Sequence, residues 1–386
     1  MSKGKYIFIV QVTRQLSIDI INAFVKEGAE IELVTGSVEP NYATLDSRVK
    51  IKYFNRYDNT STFKRMFTWS VFTFFTFFYV LFRSRKKELI LISTPPFIFF
   101  IGSFFKRIRG QKYHLIIWDL YPDVLVNFGV AKKESFIIKT WSNMNRRCFD
   151  NANSLFTLGK HLQDAVKAYT SNEVVIIPNW VNADFVKPVD RSENPFVKTH
   201  GLEEKLVVMY SGNMGLTHDI ESIVMAAELL KANARIHFVL IGDGAKRAKI
   251  ESMVKDKSLA NVLMLPYQDK EMLPYSLTSA DIGVVTLSQG AESISVPSKT
   301  YYTLAAGSAV LALASKESEL GLLVDEYKCG KVFDNATAQE IADYILLQLE
   351  DRYGLEQLKK NARAASFDFT PANANVYYDY ICSKNQ

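Results

Sequence analysis

The sequence predicts an α/β protein built from two parallel-sheet domains. Three observations carry this reading. Apolar runs of four to seven residues, bounded by turn residues, recur along both halves of the chain. Longer amphipathic stretches separate them, as helices must when successive strands run parallel and cross over right-handedly. And 386 residues are more than a single core usually serves.

In the first half, strands are expected at Lys5–Gln11, Glu30–Thr35, Lys50–Tyr53, Leu89–Ser93, Tyr113–Trp118, Ser154–Thr157 and Val174–Ile177. Helices fit between them at Gln15–Lys26, Ser61–Phe82, Pro96–Arg107, Glu134–Asn151 and Lys160–Tyr169. The second half repeats the pattern, with strands at Leu206–Tyr210, Ile236–Ile241, Val262–Leu265, Ile282–Thr286 and Ala309–Ala314. Between the halves, PNWVNADFVKPVDRSENPFVKTHGLEE is rich in Pro, Asn and charge and has no period, so it reads as a linker. The expected domains are residues 1–180, a linker 181–204, and residues 205–366, with 367–386 a closing helix that crosses back to the first domain. Two such Rossmann-like lobes face a cleft between the carboxyl ends of their sheets, where ligands bind.

At 48% hydrophobic and 23% charged residues, the composition excludes a disordered chain. Cys148, Cys329 and Cys382 form no CxxC pair, and the five histidines are scattered, so no metal is expected and a reduced, cytoplasmic protein is. The start, MSKGKYIFIVQV, lacks the pattern of a signal peptide and reads as a first buried strand. Charge is uneven. Met1–Lys112 holds 18 basic against 8 acidic residues, a net of +10 in a chain of +5. A basic N-terminal lobe needs an anionic neighbour, nucleic acid or lipid headgroups. No helix-turn-helix, zinc-finger or RNP pattern supports nucleic acid.

Met66–Phe82 runs seventeen residues without a charge. It is short of the roughly 20 apolar residues a membrane span requires. It fits a buried crossover helix, and equally a helix lying on a membrane surface, because Lys64-Arg65 and Arg83, Arg85, Lys86 and Lys87 flank it. The next helical segment, PPFIFFIGSFFKRIRG, repeats phenylalanines followed by basics, which favours attachment to an anionic leaflet.

Candidate site residues cluster after the strands. In Val284–Ala314 a polar loop with Glu292, Ser293, Ser295, Pro297 and Ser298 leads into a helix beginning at Lys299, with Tyr302 one turn on. Free N–H groups at a helix start beside a lysine suit a diphosphate; an ordinary polar crossover is the alternative. After Leu206–Tyr210 come Gly212, Asn213, Gly215 and His218. After Ile236–Ile241 come Gly242, Gly244, Lys246 and Arg247; two glycines alone are no dinucleotide fingerprint, and the cations also fit a solvated helix start. Tyr267 and Gln268 follow Val262–Leu265. In the first half, WDLYPD places Asp119, Tyr121 and Asp123 at a strand's carboxyl end, where a carboxylate can orient a hydroxyl or cap a helix. Thr13 and Arg14 follow the first strand, and Lys160 follows Ser154–Thr157; both cations either meet a phosphate or face water.

Taken in order, DLYPD, IPNWVN, YSGNMG, IGDG, LPYQ and VPSKTYYTLAAGSAVLA resemble bacterial glycosyltransferases of the GT-B fold, near the large retaining family four and its capsule and O-antigen enzymes. The resemblance implies a metal-independent transfer from a nucleotide-diphosphate sugar, UDP-linked, to a polyprenyl-diphosphate-linked saccharide at the cytoplasmic membrane face, with retention. The leaving phosphate would help deprotonate the acceptor. It further implies catalytic roles for Asp119, Lys299 and Glu292. Donor contacts would come from Gly212, Asn213, Gly215, His218, Gly242, Gly244, Lys246, Tyr267, Gln268, Ser295, Pro297, Ser298 and Tyr302. Acceptor contacts would come from Thr13, Arg14, Tyr121, Asp123 and Lys160. The chain departs from the family where an arginine and a lysine are usual, at Asn213 and His218, and where two glutamates stand eight residues apart, since Thr300 follows Glu292 at that distance. Phosphate neutralisation then falls to Lys299 and helix dipoles. Two rival readings are a nucleotide-sugar epimerase on the same fold, which leaves the basic aromatic helices unexplained, and a non-catalytic membrane-bound partner subunit, which leaves the donor loop unexplained.

Overall fold

A computed structural model describes residues 4–215, 218–287 and 297–384. The chain divides into two compact units. Of these residues, the first holds 4–179 and 371–384; the second holds 180–215, 218–287 and 297–370.

Unit 1 contains β1 (Lys5–Ile9), β2 (Val12–Arg14), β3 (Glu30–Thr35), β4 (Ser37–Glu39), β5 (Lys50–Tyr53), β6 (Glu88–Ile92), β7 (Tyr113–Ile116), β8 (Ser154–Thr157) and β9 (Val174–Ile176). Seven of these form one parallel sheet in the order β5-β3-β1-β6-β7-β8-β9. The central strands carry near-continuous apolar residues because both faces are covered. Strand order reverses between β1 and β6, and there the backbone N–H of Gln11 donates to the Thr94 carbonyl at 2.9 Å. Thr13 and Arg14, which follow the first strand, lie in the short strand β2, paired in parallel with β4. Thr13, expected at the acceptor, is buried and donates to Thr35 Oγ1 at 2.9 Å, so its hydroxyl is engaged within the unit.

Helix α1 (Gln15–Lys26) covers one face, and the closing helix Asn373–Ser383 packs on it through the Phe24–Tyr378 edge contact. Helix α2 (Thr62–Leu81) is capped by Ser61, whose side chain accepts from the Lys64 N–H. Only Trp69, Phe72, Thr76 and Val80 of α2 are buried, a stripe at helical spacing. The opposite side leaves Phe67, Phe74 and Phe78 at 59%, 58% and 42% exposure. Helix α3 (Ile98–Arg109) approaches the sheet closely at Gly102, where a Cβ would lie 2.6 Å from the Tyr113 ring. Among the described residues no helix is long and apolar enough to cross a membrane.

Unit 2 repeats the design with β10 (Leu206–Ser211), β11 (Ile236–Ile241), β12 (Val262–Leu265), β13 (Ile282–Thr286), β14 (Ala309–Leu313) and β15 (Gly330–Phe333). All are parallel, in the order β12-β11-β10-β13-β14-β15. The segment expected as a linker, 181–204, is part of this unit. Asn194 caps the helix Pro195–Thr199, and Phe196, Val197 and Leu202 are buried against β10 and β11 side chains. Arg191 fixes the segment by donating to the buried carboxylate of Asp281 at 2.6 Å. Apolar burial and a charge-assisted bond thus override a loop-like composition.

Candidate functional site

In unit 2 strand order reverses between β10 and β13, the place where open parallel sheets bind ligands beyond their carboxyl ends. Lys299 begins the helix Lys299–Ala306 here. Its Nζ donates to the Tyr210 hydroxyl at 2.7 Å and lies 4.0 Å from the centre of the same ring. The Tyr210 hydroxyl donates in turn to the Asn213 carbonyl at 2.5 Å. Burial lowers the lysine's pKa from its ordinary value to about 7. Gly212 holds φ of +145°, and a Cβ there would lie 3.2 Å from Lys299 Nζ, so glycine leaves the lysine its place. His218 approaches Thr286, at the end of β13, with Nδ1 and Oγ1 3.3 Å apart. Burial, helped by the Lys299 charge, takes its pKa down to about 4. The imidazole is therefore neutral at pH 7 and offers a hydrogen bond, not a cation.

The turns after β10 and β11 are laced together. Met214 donates its N–H to the Asp243 carbonyl at 2.7 Å, and Lys246 donates its own to Met214 at 2.9 Å. A Cβ at Gly242, whose φ is +137°, would collide with the Gly212 carbonyl; one at Gly244 would stand 2.6 Å from Asn213 Oδ1. Gly215 accepts from the His218 N–H at 3.1 Å. Lys246 Nζ donates to the His218 carbonyl at 2.7 Å and to Glu221 Oε2 at 3.0 Å. Burial opposes ionisation of Glu221, but hydrogen bonds from Lys249 and Lys246 hold its carboxyl at about 2. Lys246 thus braces the turn with much of its charge neutralised. Tyr267 is 55% exposed beyond β12, and Gln268 donates to the Pro266 carbonyl at 2.9 Å. Pro297 is buried, Ser298 is exposed without capping the helix through its side chain, and Tyr302 is half-buried. Glu292, Ser293 and Ser295 lie outside the described residues.

Unit 1 places its candidates at the carboxyl edge of its own sheet. Ser93 Oγ, after β6, accepts the N–H groups of Trp118 and Asp119 at 3.0 and 3.1 Å, which fixes the loop after β7 and leaves the Asp119 side chain exposed. Asn145 donates to the Tyr121 carbonyl at 2.5 Å, and the Tyr121 ring stacks on Trp141 and meets Trp69 edge-on. Asp123 accepts from the Tyr169 hydroxyl at 2.5 Å; burial still raises its carboxyl above the ordinary range. A cavity of about 770 Å³ is lined by Arg14, Ser37, Glu39, Tyr53, Arg56 and Tyr57, among others. Arg14 stands there exposed, 3.1 Å from Glu39. Lys160 faces water and pairs with Asp164 at 2.7 Å.

Several contributors escaped the sequence. Tyr210 under Lys299, Thr286 beside His218 and Glu221 behind Lys246 are separated from their partners by 89, 68 and 25 residues. Arg247 donates to the Gly242 carbonyl and, at 3.1 Å, to that of Leu265, tying the ends of β11 and β12.

Residues 191–365 match the family described as Glycosyl transferases group 1. Probable glycosyltransferase WbjE of Pseudomonas aeruginosa is 29% identical over 254 residues, 64% of this chain and 62% of that protein. WcaI of Escherichia coli K12, assigned as a glycosyl transferase of colanic acid biosynthesis, is 26% identical over 275 residues, 69% of this chain and 67% of that protein. The match to WbjE thus spans less than two thirds of that relative's length. Among solved structures, Anabaena HepE in complex with UDP and glucose aligns with a TM-score of 0.73 at 13% identity, covering 98% of this chain and 99% of that one. The chain therefore has the two-domain, parallel-sheet GT-B fold, and residues 191–365, in its second unit, are similar to group 1 glycosyltransferases.

Proposed function

We propose that this protein is a glycosyltransferase of surface polysaccharide synthesis. It moves a sugar from a UDP-linked donor to a polyprenyl-diphosphate-linked saccharide with retention of configuration. The single observation that carries this is Lys299, a lysine with its charge partly withdrawn, poised on Tyr210 at a helix start beside Gly212. A donor diphosphate there gains a cation, helix N–H groups and a close-approaching backbone. UDP and glucose bound to HepE and the colanic acid role assigned to WcaI support the donor and pathway classes. In this reading Lys299 compensates the leaving diphosphate without a metal, neutral His218 hydrogen-bonds the donor, and Asp119 orients the acceptor hydroxyl. The protein's share is positioning and charge stabilisation.

The reading includes attachment to the inner face of the cell membrane. Phe63, Phe82, Phe136 and Ile137 are 79%, 81%, 83% and 73% exposed, and Arg85, Lys86 and Arg107 are exposed beside the phenylalanines of α2 and α3. Apolar side chains rimmed by cations suit an anionic leaflet.

A panel of nucleotide sugars screened by thermal shift, followed by a coupled assay of nucleotide release with a lipid-linked saccharide, tests the reading. Stabilisation by a UDP sugar and acceptor-dependent UDP release are expected. Release without any acceptor dependence, or no stabilisation by any donor, would overturn it.

A further inference from the structure

Between α2 and α3 runs a groove of about 530 Å³ that none of the donor or acceptor residues above occupies. Phe74, Phe77 and Phe78 line it from α2, and Phe97, Phe100 and Phe104 from the α3 side. Thr73 also borders it, but its hydroxyl donates to the Trp69 carbonyl at 2.8 Å and is spent within the helix. The lining is thus hydrocarbon, shaped as a trough and open to solvent at Phe74, Phe78 and Phe104.

The trough has a polar end. Phe97 lines it and also touches Trp69 and Trp141, with ring centres 6.5 and 4.9 Å apart. Trp69 meets Tyr121 of the Asp119 loop at 5.7 Å, stacks on Tyr57 at 6.2 Å and carries the Arg65 guanidinium 5.4 Å above its ring. Trp69 is only 6% exposed, yet its indole N–H has no partner among the described residues, and neither does Arg65 Nε. Buried donors without acceptors are the exception in folded proteins, and an acceptor from a bound ligand would satisfy both. A hydrocarbon trough leading to a cation, two unmatched donors and a candidate acceptor carboxylate has the polarity of one long-chain phosphate lying lengthwise.

We propose that the α2–α3 groove holds the first isoprene units of the acceptor's polyprenyl chain, with the chain's diphosphate at Arg65 and Trp69. The inference rests on the lipid-linked acceptor proposed above and adds where its tail lies. A flat bilayer surface does not fill a trough, whereas the projecting Phe63, Phe67 and Phe82 suit one. A single linear chain fills both the trough and its polar end.

Calorimetric titration of the full chain with inorganic, dimethylallyl, geranyl and farnesyl diphosphate tests this. Affinity should rise at least about tenfold with each added isoprene unit, since burying only two of its five carbons is enough for that. Thr73→Trp, which fills the trough from an incompletely buried position, should flatten the series to the level of inorganic diphosphate. Thr73→Ala should preserve it. Binding of UDP and co-sedimentation with anionic vesicles should stay within twofold of wild type in both variants. A flat series in the wild type, which needs no variant to fold, would overturn the proposal. So would a series that survives Thr73→Trp, or loss of vesicle binding in parallel with it, which would make the trough ordinary bilayer contact. The acceptor reading fails separately: then the isoprene series persists while no polyprenyl-diphosphate saccharide accepts sugar.

Discussion

Lys299 both donates a hydrogen bond to the Tyr210 hydroxyl, at 2.7 Å, and rests over the Tyr210 ring, 4.0 Å from its centre. One aromatic side chain at the end of β10 therefore holds a helix-starting lysine in place and passes the tether on to the Asn213 carbonyl. The ring face supplies partial negative charge and burial removes water, so the amine is fixed but incompletely ionised. A diphosphate would restore the charge at the moment of binding.

Lys299→Ala should lower turnover by one to two decades, because a charge-assisted contact is worth roughly 1.5–3 kcal/mol. The protein should remain folded. The native state holds this amine's pKa near 7, well below the unfolded value, so the unfolded chain binds more protons above pH 7. The lysine's cost to stability is complete below pH 7 and relieved as pH rises toward the unfolded value. Lys299→Met should therefore melt no lower than wild type at pH 6. Unchanged catalytic efficiency in a folded variant would remove Lys299 from the site.

The same amine gives donor binding a pH dependence. An anion favours the charged lysine and raises its pKa in the complex, so UDP binding above pH 7 should take up a proton. Affinity should fall as pH rises beyond 7. Calorimetry at pH 8 in two buffers of different ionisation heat reads the uptake directly, and identical heats in both would refute it. His218, with its pKa near 4, should add nothing between pH 6 and 8.

Tyr210→Phe keeps the ring but removes the lysine's acceptor and the tie to Asn213. A net hydrogen bond of about 0.5–1.5 kcal/mol corresponds to a several-fold loss of donor affinity. The melting temperature should change little. Wild-type donor affinity in this variant would show that the ring face alone positions Lys299.

The parallel sheets were legible because buried strands read as apolar runs, and the turns that bear the candidate residues were legible because they follow those runs. What escaped depends on partners far apart in sequence. Nothing in YSGNMG marks Tyr210 as the seat of a lysine 89 residues on. Arg191 and Asp281, 90 residues apart, turn a loop-like segment into part of unit 2, although Asn194-Pro195 is itself a legible helix start. The strands β2 and β4 are three residues long, too short for a period to show, and β15 has only Val332 and Phe333 apolar after Gly330 and Lys331. Basic residues were legible as charge but not as structure: Arg109 donates to the carbonyls of Val80 and Leu81, completing the end of α2.

Asp119→Asn should slow transfer while leaving UDP-sugar affinity near wild type. Ser93 holds the Asp119 backbone, so the loop keeps its shape when only the carboxylate changes. Initial-rate kinetics with varied donor and acceptor separate the two effects. Collapse of donor affinity in a folded Asp119→Asn protein would move this residue out of the acceptor role.

The membrane prediction depends on which cations are free to meet lipid. Glu32 receives Lys87 at 2.6 Å and Arg83 at 3.4 Å, and Arg83 also covers the Tyr79 ring. Neutralising those two would loosen the packing of α2 as well as change charge. Arg85, Lys86 and Arg107 are exposed and make the cleaner test. Each basic residue near an anionic leaflet contributes about 1 kcal/mol, so the triple Gln variant should lose roughly 3 kcal/mol, a fall of about two decades in vesicle affinity. The loss should shrink as salt rises, since the attraction reaches only about 8 Å at physiological ionic strength. Residual binding should persist through exposed Phe63, Phe67 and Phe82, and should fall further when these three are also changed to serine. Co-sedimentation with vesicles of graded anionic content measures each step. Equal sedimentation of wild type and triple variant at low salt, at every composition, would show that these cations do not face a membrane.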